Sequence, residues 1–154
     1  MLETWELLSY IVTVIGLPLA ILVYLFEQHK ERRNDENDVY ERLSRNYQDF
    51  LQLALDNPDL QLLSQKPTPN LGPEQEERMQ AIFAMLIALF ERAYLLLYDD
   101  KLRGNELRRW HSWEDFMQEW CSREDFRNSL PGHIRGEDPE FADYIKDLAK
   151  KATG

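Results

Sequence analysis

The chain has 154 residues, with 18 Lys or Arg against 28 Asp or Glu and a formal net charge of −10. Its length favours one folded domain, and its acidity argues against a nucleic-acid partner, because phosphate binding needs a basic surface. The single Cys excludes an intramolecular disulfide and a cysteine-based zinc site.

Residues 7–26 form a run of 20 residues without a charge, LLSYIVTVIGLPLAILVYLF. A helix of this length spans about 30 Å, the thickness of the hydrocarbon core of a bilayer. Trp5, Tyr24 and Phe26 lie at its ends, where interfacial aromatics are found. No basic stretch precedes the run and no A-x-A site follows it, which disfavours a cleaved signal peptide. The pattern predicts a transmembrane helix, with a buried core helix as the alternative.

The flanking charges predict the orientation of this helix. Two Glu precede it, whereas Lys30, Arg32 and Arg33 follow it. Because Lys and Arg near a span favour the cytoplasmic side, residues 1–6 are expected outside the cell and the remainder inside. The prediction is a single-pass protein of the cell (inner) membrane with the lipid bilayer as a partner.

Three residues in the middle of the segment interrupt its aliphatic character. Pro18 predicts a kink, since proline removes one helical hydrogen bond. Gly16 and Ala20 are four residues apart, a small-residue pair that lets a second membrane helix approach closely. The alternative is a tolerated kink in a monomeric anchor.

The next part of the chain predicts a polar stalk and then a helical domain. Residues 27–38 are almost wholly polar and continue the helix, with a possible break over residues 34–37. Residues 39–154 are expected to form a cytoplasmic helical domain. Steps of three and four between apolar residues predict its first buried helical face. That face comprises Tyr40, Leu43, Tyr47, Phe50, Leu51, Ala54 and Leu55.

A second long helix is predicted from Pro73 to about Asp100. Proline suits the first position of a helix, and acidic residues follow it. Residues 81–98 contain only two charges, Glu91 and Arg92. Because each charge is costly at the centre of a membrane span, we predict the central helix of a small bundle. The alternative is a second transmembrane segment.

Three shorter helical segments are predicted after Gly104. Residues 106–121 form an aromatic helix, and Ser122 resembles an N-cap for a turn or two over residues 123–130, ended by Pro131-Gly132. Asp138 is expected to cap a last helix that runs to about Lys150. The sequence therefore predicts an all-α fold, a single N-terminal transmembrane helix followed by a small cytoplasmic helical bundle.

Three stretches together resemble a known group of proteins: IGLPLAILVYLFEQHKER (residues 15–32), LFERAYLLLY (residues 89–98) and WHSWEDFMQEWCSREDFRNSL (residues 110–130). They are similar to a family of small, uncharacterised bacterial membrane proteins with one N-terminal span and a helical cytoplasmic domain. The resemblance implies a prokaryotic plasma-membrane protein, and it implies no activity, cofactor or catalytic residue.

Few residues suggest catalysis. The chain has no glycine-rich phosphate loop, G-x-S-x-G or H-E-x-x-H motif. His111 lies three and four residues before Glu114 and Asp115, a spacing that can hold a metal only with ligands from other helices. Cys121 is a candidate nucleophile only beside His111 or His133. We expect solvated polar residues, a buried thiol, no cofactor and no metal.

Two features stand out as candidate interaction sites. Glu91 and Arg92 lie inside an apolar helix, so each needs a partner or water. We predict a structural ion pair, in which Arg92 meets Glu114 or Asp115 and Glu91 meets Arg109 or Arg123; a ligand or partner contact is the alternative.

Three of the four Trp, namely Trp110, Trp113 and Trp120, lie within eleven residues. One helical face cannot bury all of them easily, and an exposed Trp marks a partner surface. These residues are therefore the partner-binding candidates of the sequence, although core packing is favoured for the cluster as a whole.

The sequence thus predicts a membrane-anchored interaction protein, such as an accessory subunit, scaffold or regulator, with a protein partner or a homo-oligomer. The alternative is a membrane effector that oligomerises through Gly16 and Ala20 and carries a cytoplasmic sensor domain. A third hypothesis is a hydrolase or metalloprotein that uses His111.

Overall fold

The computed structural model describes the backbone of residues 2–153 and the side chains from Gly16 onward. Within those residues every regular element is a helix, which confirms the predicted all-α class. The helices are α1 (Leu2–Asp56), α2 (Pro73–Leu97), α3 (Gly104–Cys121), α4 (Glu124–His133) and α5 (Pro139–Lys151), with 3₁₀ turns at Pro58–Leu60 and Ile134–Gly136. The chain divides into two compact units, Met1–Val39 and Tyr40–Gly154.

The first unit consists of the N-terminal part of α1. Part of the predicted transmembrane segment, residues 7–15, lies outside the residues whose side chains are described. The side chains of residues 16–26 are all exposed. The break considered over residues 34–37 is wrong, because the helix is continuous to Asp56. Good helix formers lie on both sides of this stretch, with Arg32 and Arg33 before it and Glu41 and Arg42 after it.

In the second unit the C-terminal part of α1 contributes one face to the core. Leu43, Tyr47, Phe50 and Ala54 are buried, as their spacing predicts. Leu55 is exposed, so its predicted burial is wrong. Each residue advances by about 100° around a helix, which turns Leu55 away from the face that Ala54 shares.

Helix α2 lies at the centre of the second unit. It begins as predicted at Pro73, and the Gln75 Oε1 atom accepts a hydrogen bond from the Gly72 N–H at 3.0 Å. Nine of its side chains are buried, and it packs against α3, α4 and α5. Among the described residues α2 is the one helix whose length and composition would suit a membrane crossing, and 44% of its most apolar stretch is buried.

The junction between α3 and α4 differs from the prediction. Ser122 is not an N-cap, because its hydroxyl donates to the Gln118 carbonyl at 3.0 Å and so completes the end of α3. The predicted stop at Pro131-Gly132 is also wrong, since α4 continues to His133. A proline near the end of a helix removes only one hydrogen bond from a turn that is about to finish.

Helix α5 begins as the sequence predicts. The Asp138 Oδ1 atom accepts hydrogen bonds from the Glu140 and Phe141 N–H groups, each at 3.0 Å. These bonds satisfy two of the amides that a helix leaves unpaired at its start. The cap directs Phe141, Ile145 and Leu148 into the core.

Candidate interaction surface

The three tryptophans of α3 are core residues. Trp110, Trp113 and Trp120 are only 3%, 1% and 5% exposed. Core packing is therefore confirmed for the cluster, and the interpretation of these residues as an exposed partner surface is wrong. The physical reason is that α3 packs against α2, α4 and α5, so that more than one of its faces is covered.

The indole of Trp120 has a specific polar partner. Its Nε1–H donates to the Tyr47 hydroxyl at 3.1 Å, which joins α3 to α1 within the core. Phe50 meets the Trp120 ring edge to face at 5.4 Å between centroids. Such aromatic pairs contribute beyond the area that they bury, and they fix the rotation of α1 about its axis.

Arg123, 2% exposed, is the most buried charged residue that the structure describes. Its guanidinium donates to the carbonyls of Gln61, Leu62 and Ser64 at 2.9, 3.2 and 2.6 Å. It also forms a two-point ion pair with Asp125 at 2.7 and 2.8 Å. Although burial opposes ionisation, this pairing lowers the pKa of Asp125 overall. Arg123 therefore holds the loop before α2 against the start of α4.

The predicted contact of Glu91 with Arg123 is wrong. Its Oε1 atom accepts the Asp138 N–H at 2.5 Å, and its carboxyl hydrogen-bonds that of Glu137. Arg123 is instead occupied as described above. The hydrogen bond to Glu91, burial and the charge of Glu91 together raise the pKa of Glu137 to about 7. The cluster joins α2 to the start of α5 through hydrogen bonds rather than an ion pair.

Arg92 does not behave as predicted either. It is exposed, and no described side chain lies within ion-pair distance of it, Glu114 and Asp115 included. The two adjacent residues point in different directions, since one step along a helix is a rotation of about 100°. Glu91 faces α5, and Arg92 faces outward.

Arg92 borders a shallow groove between α1 and α2, which we call the α1–α2 groove. Its α2 wall comprises Met85, Ala88, Leu89 and Arg92, and its α1 wall comprises Asn46, Asp49, Phe50 and Leu53. Phe50 and Leu89 form a buried floor, whereas Met85 is 57% exposed. The groove thus combines an apolar centre with one acidic and one basic residue, which is the usual composition of a protein-binding surface.

The candidate catalytic residues are engaged structurally. Glu114 accepts a hydrogen bond from the Tyr144 hydroxyl and lies 3.2 Å from the His111 Nδ1 atom. Within the described residues no group of three potential ligands could hold a metal ion. Cys121 is buried, and burial raises the pKa of its thiol to about 12. A thiol of that pKa is a poor nucleophile at neutral pH.

The predicted small-residue pair lies in the first unit. Gly16 and Ala20 are both exposed, and a Cβ atom added at Gly16 would meet nothing within 4 Å. The pair is therefore open to a neighbouring helix, and its role in membrane packing stays a prediction.

Comparison of the chain with protein-family models, curated proteins and solved structures gave no match. The function is therefore argued from the residues and their arrangement.

Proposed function

We propose that the chain is a membrane-anchored helical interaction protein, an accessory subunit, scaffold or regulator of a membrane complex. The observation that carries this proposal is the exposed apolar surface of residues 16–26. Leu17, Leu22 and Phe26 are 65%, 61% and 81% exposed. A run of large apolar side chains cannot remain in water without cost, and a lipid bilayer would cover all sides of such a helix.

The charges after this segment support an orientation for the proposed anchor. Lys30, Arg32 and Arg33 follow it closely, and basic residues are retained on the cytoplasmic side of a membrane. Residues 27–154 would then lie in the cytoplasm of a bacterial cell, attached to the inner membrane by residues 7–26.

A binding role suits the second unit better than catalysis. His111 and Glu114 are used in side-chain contacts, and the Cys121 thiol is buried. The α1–α2 groove, by contrast, offers an apolar surface that nothing in the described chain covers. We propose this groove as the binding surface of the protein.

Membrane extraction tests the anchor. The full chain is produced in a bacterial host, and its membranes are washed at alkaline pH, which removes peripheral proteins. We expect the wild type to stay in the membrane pellet. The double variant Leu17→Arg, Leu22→Arg should appear in the wash, because each central charge costs about 2.5–3.5 kcal/mol of insertion free energy.

Met85→Arg is the matched control, since it adds a charge to the exposed side of α2, the other apolar helix. We expect it to stay in the pellet. Release of Met85→Arg together with retention of the Leu17, Leu22 variant would contradict the proposal and place the anchor in α2.

A second candidate function is a membrane effector that oligomerises through its anchor and senses a signal with its cytoplasmic domain. The exposed pair Gly16 and Ala20 favours it, because small residues permit close helix packing in lipid. Gly16→Leu should then reduce the self-association of the full chain in detergent. Unchanged self-association would argue against this function.

A further inference from the structure

We propose that the α1–α2 groove is a symmetric interface between two copies of this chain. The inference names the partner of the binding surface proposed above, and so it rests on the interaction role of the protein. It does not require that residues 7–26 lie in a membrane, but it requires that α2 does not, since α2 forms one wall of the groove.

The first observation is an apolar stripe on the outer side of α2. Met85, Leu95 and Leu96 are 57%, 57% and 54% exposed, and Ala88 is half-buried between them. Ala88 follows Met85 by three residues, and Leu95 and Leu96 follow Ala88 by seven and eight, so all four lie along one side of α2. This stripe is additional to the nine buried side chains of the same helix. A helix with apolar residues on both sides needs a second covering surface.

The second observation is a pair of opposite charges that do not meet within the chain. Asp49 lies on the α1 wall of the groove and Arg92 on the α2 wall, and both are exposed. Neither forms an ion pair with any side chain that the structure describes. Each is therefore available to a charge on another molecule.

Two-fold symmetry would satisfy both observations at once. In a two-fold interface the α1 wall of one copy faces the α2 wall of the other, so every contact occurs twice. Asp49 would meet Arg92 of the partner subunit, and Arg92 would meet Asp49 of the partner subunit. The apolar residues between them would cover each other. The groove is thus complementary to itself in charge and in polarity, which is the requirement for a homodimer.

Charge reversal in the full chain, purified in detergent, tests this interface. The measurement is the mass of the protein in the micelle by analytical ultracentrifugation over a range of concentrations. We expect a dimer for the wild type. Asp49→Arg alone and Arg92→Glu alone should each weaken dimerisation at least tenfold, because each places two like-charged pairs in the interface.

The decisive sample is a mixture of the two single variants. One Asp49→Arg chain and one Arg92→Glu chain would form a heterodimer in which both charge pairs attract. We therefore expect the mixture to dimerise with nearly wild-type affinity, and the double variant Asp49→Arg, Arg92→Glu to do the same. A heterologous partner in the groove, or a dimer that forms elsewhere, would not produce this restoration.

Two controls keep the test specific. Asp115→Arg reverses an exposed acid on α3, outside the groove, and should leave the dimer intact. Gly16→Leu alters the candidate packing site of the anchor and should also leave it intact. A monomeric wild type, unaffected single variants, or loss of the dimer only in Gly16→Leu would each overturn the proposal. The last of these outcomes would leave the proposed membrane anchor standing.

Discussion

At the scale of single residues, the buried guanidinium of Arg123 forms the hydrogen bonds of the most polar part of the core. Its five hydrogen bonds to the loop carbonyls and to Asp125, together with a sixth to the Thr68 hydroxyl, leave no side of the group unsatisfied. The planar guanidinium has five N–H donors that fit this arrangement, whereas a lysine ammonium has only three and would not.

We predict that Arg123→Ala lowers the free energy of unfolding by about 3–5 kcal/mol, because it leaves the Asp125 charge and three carbonyls without their partner. Urea unfolding followed by circular dichroism measures this loss. Arg135→Ala, at an exposed arginine, is the matched control and should change stability by less than about 0.5 kcal/mol. A loss similar to that of the control would show that the loop does not depend on Arg123.

A second residue-scale prediction concerns Glu137. Its pKa is about 7 in the folded chain against an ordinary value of 4.5, so the folded state holds the proton more tightly than the unfolded state. The resulting stabilisation is complete below about pH 4.5 and is lost as the pH rises through about 7. We expect this fall in stability in the wild type and a shallower one in Glu137→Gln.

The comparison is made by thermal unfolding at several pH values between 4.5 and 8, across the range set by those two pKa values. Glu140→Gln removes a nearby exposed carboxyl and should keep the wild-type dependence. Identical profiles for the wild type and Glu137→Gln would mean that the Glu91–Glu137 pair holds no extra proton.

Residue-level contacts were the least predictable from sequence. Four of the five partners of Arg123 lie 55 to 62 residues earlier in the chain, and no local pattern indicates that distance. Glu91 was expected to meet an arginine, yet it meets a carboxyl and a backbone amide. Opposite charge is a reasonable basis for predicting a partner, but it does not predict the contact between two acidic side chains.

At the scale of elements, two helix starts were predicted well because their signals are local. Pro73 begins α2, and Asp138 caps the start of α5. Proline and capping side chains act within a few residues of their own position. The end of α4 was missed because the helix continues two residues past Pro131.

The cap of α5 gives a prediction at this scale. We expect Asp138→Ala to lower the free energy of unfolding by about 0.5–2 kcal/mol, because two amides at the start of α5 lose their acceptor. Asp138→Asn keeps an oxygen in the same place and should lose less. Urea denaturation of both variants tests this order, and an equal loss would indicate that charge rather than hydrogen bonding carries the effect.

The burial of all three tryptophans of α3 could also not be predicted in full from the sequence. These side chains suggested an exposed surface because one helical face cannot hold them all. The structure surrounds α3 with α2, α4 and α5, an arrangement set by the tertiary packing of segments far apart in the chain. The interaction surface is instead predicted from residues that sequence reasoning passed over, chiefly Met85 and Asp49.

At the scale of the whole molecule, the chain consists of two units that differ in the exposure of their apolar side chains. The unit Tyr40–Gly154 contains the aromatic core and the Arg123 contacts, and its apolar side chains are largely buried. In the unit Met1–Val39, the side chains of residues 16–26 are exposed. The two units therefore differ in what must cover their apolar surface.

We predict that residues 40–154 fold without the preceding segment. The core aromatics and the buried polar contacts described above all belong to this range, so removal of residues 1–39 should not disturb them. A fragment that starts at Tyr40 should be helical and should unfold in one cooperative transition in the absence of detergent. A gradual, non-cooperative transition would contradict the prediction.

The buried position of Cys121 has a practical consequence for the study of this chain. It is the single cysteine of the sequence, and its thiol is both enclosed and protonated at neutral pH. Maleimide reagents require an accessible thiolate, so the native chain should remain unlabelled. A cysteine introduced at an exposed position would then be the only site to accept a fluorophore, and energy transfer between two labelled copies would report their distance without further substitution of the protein.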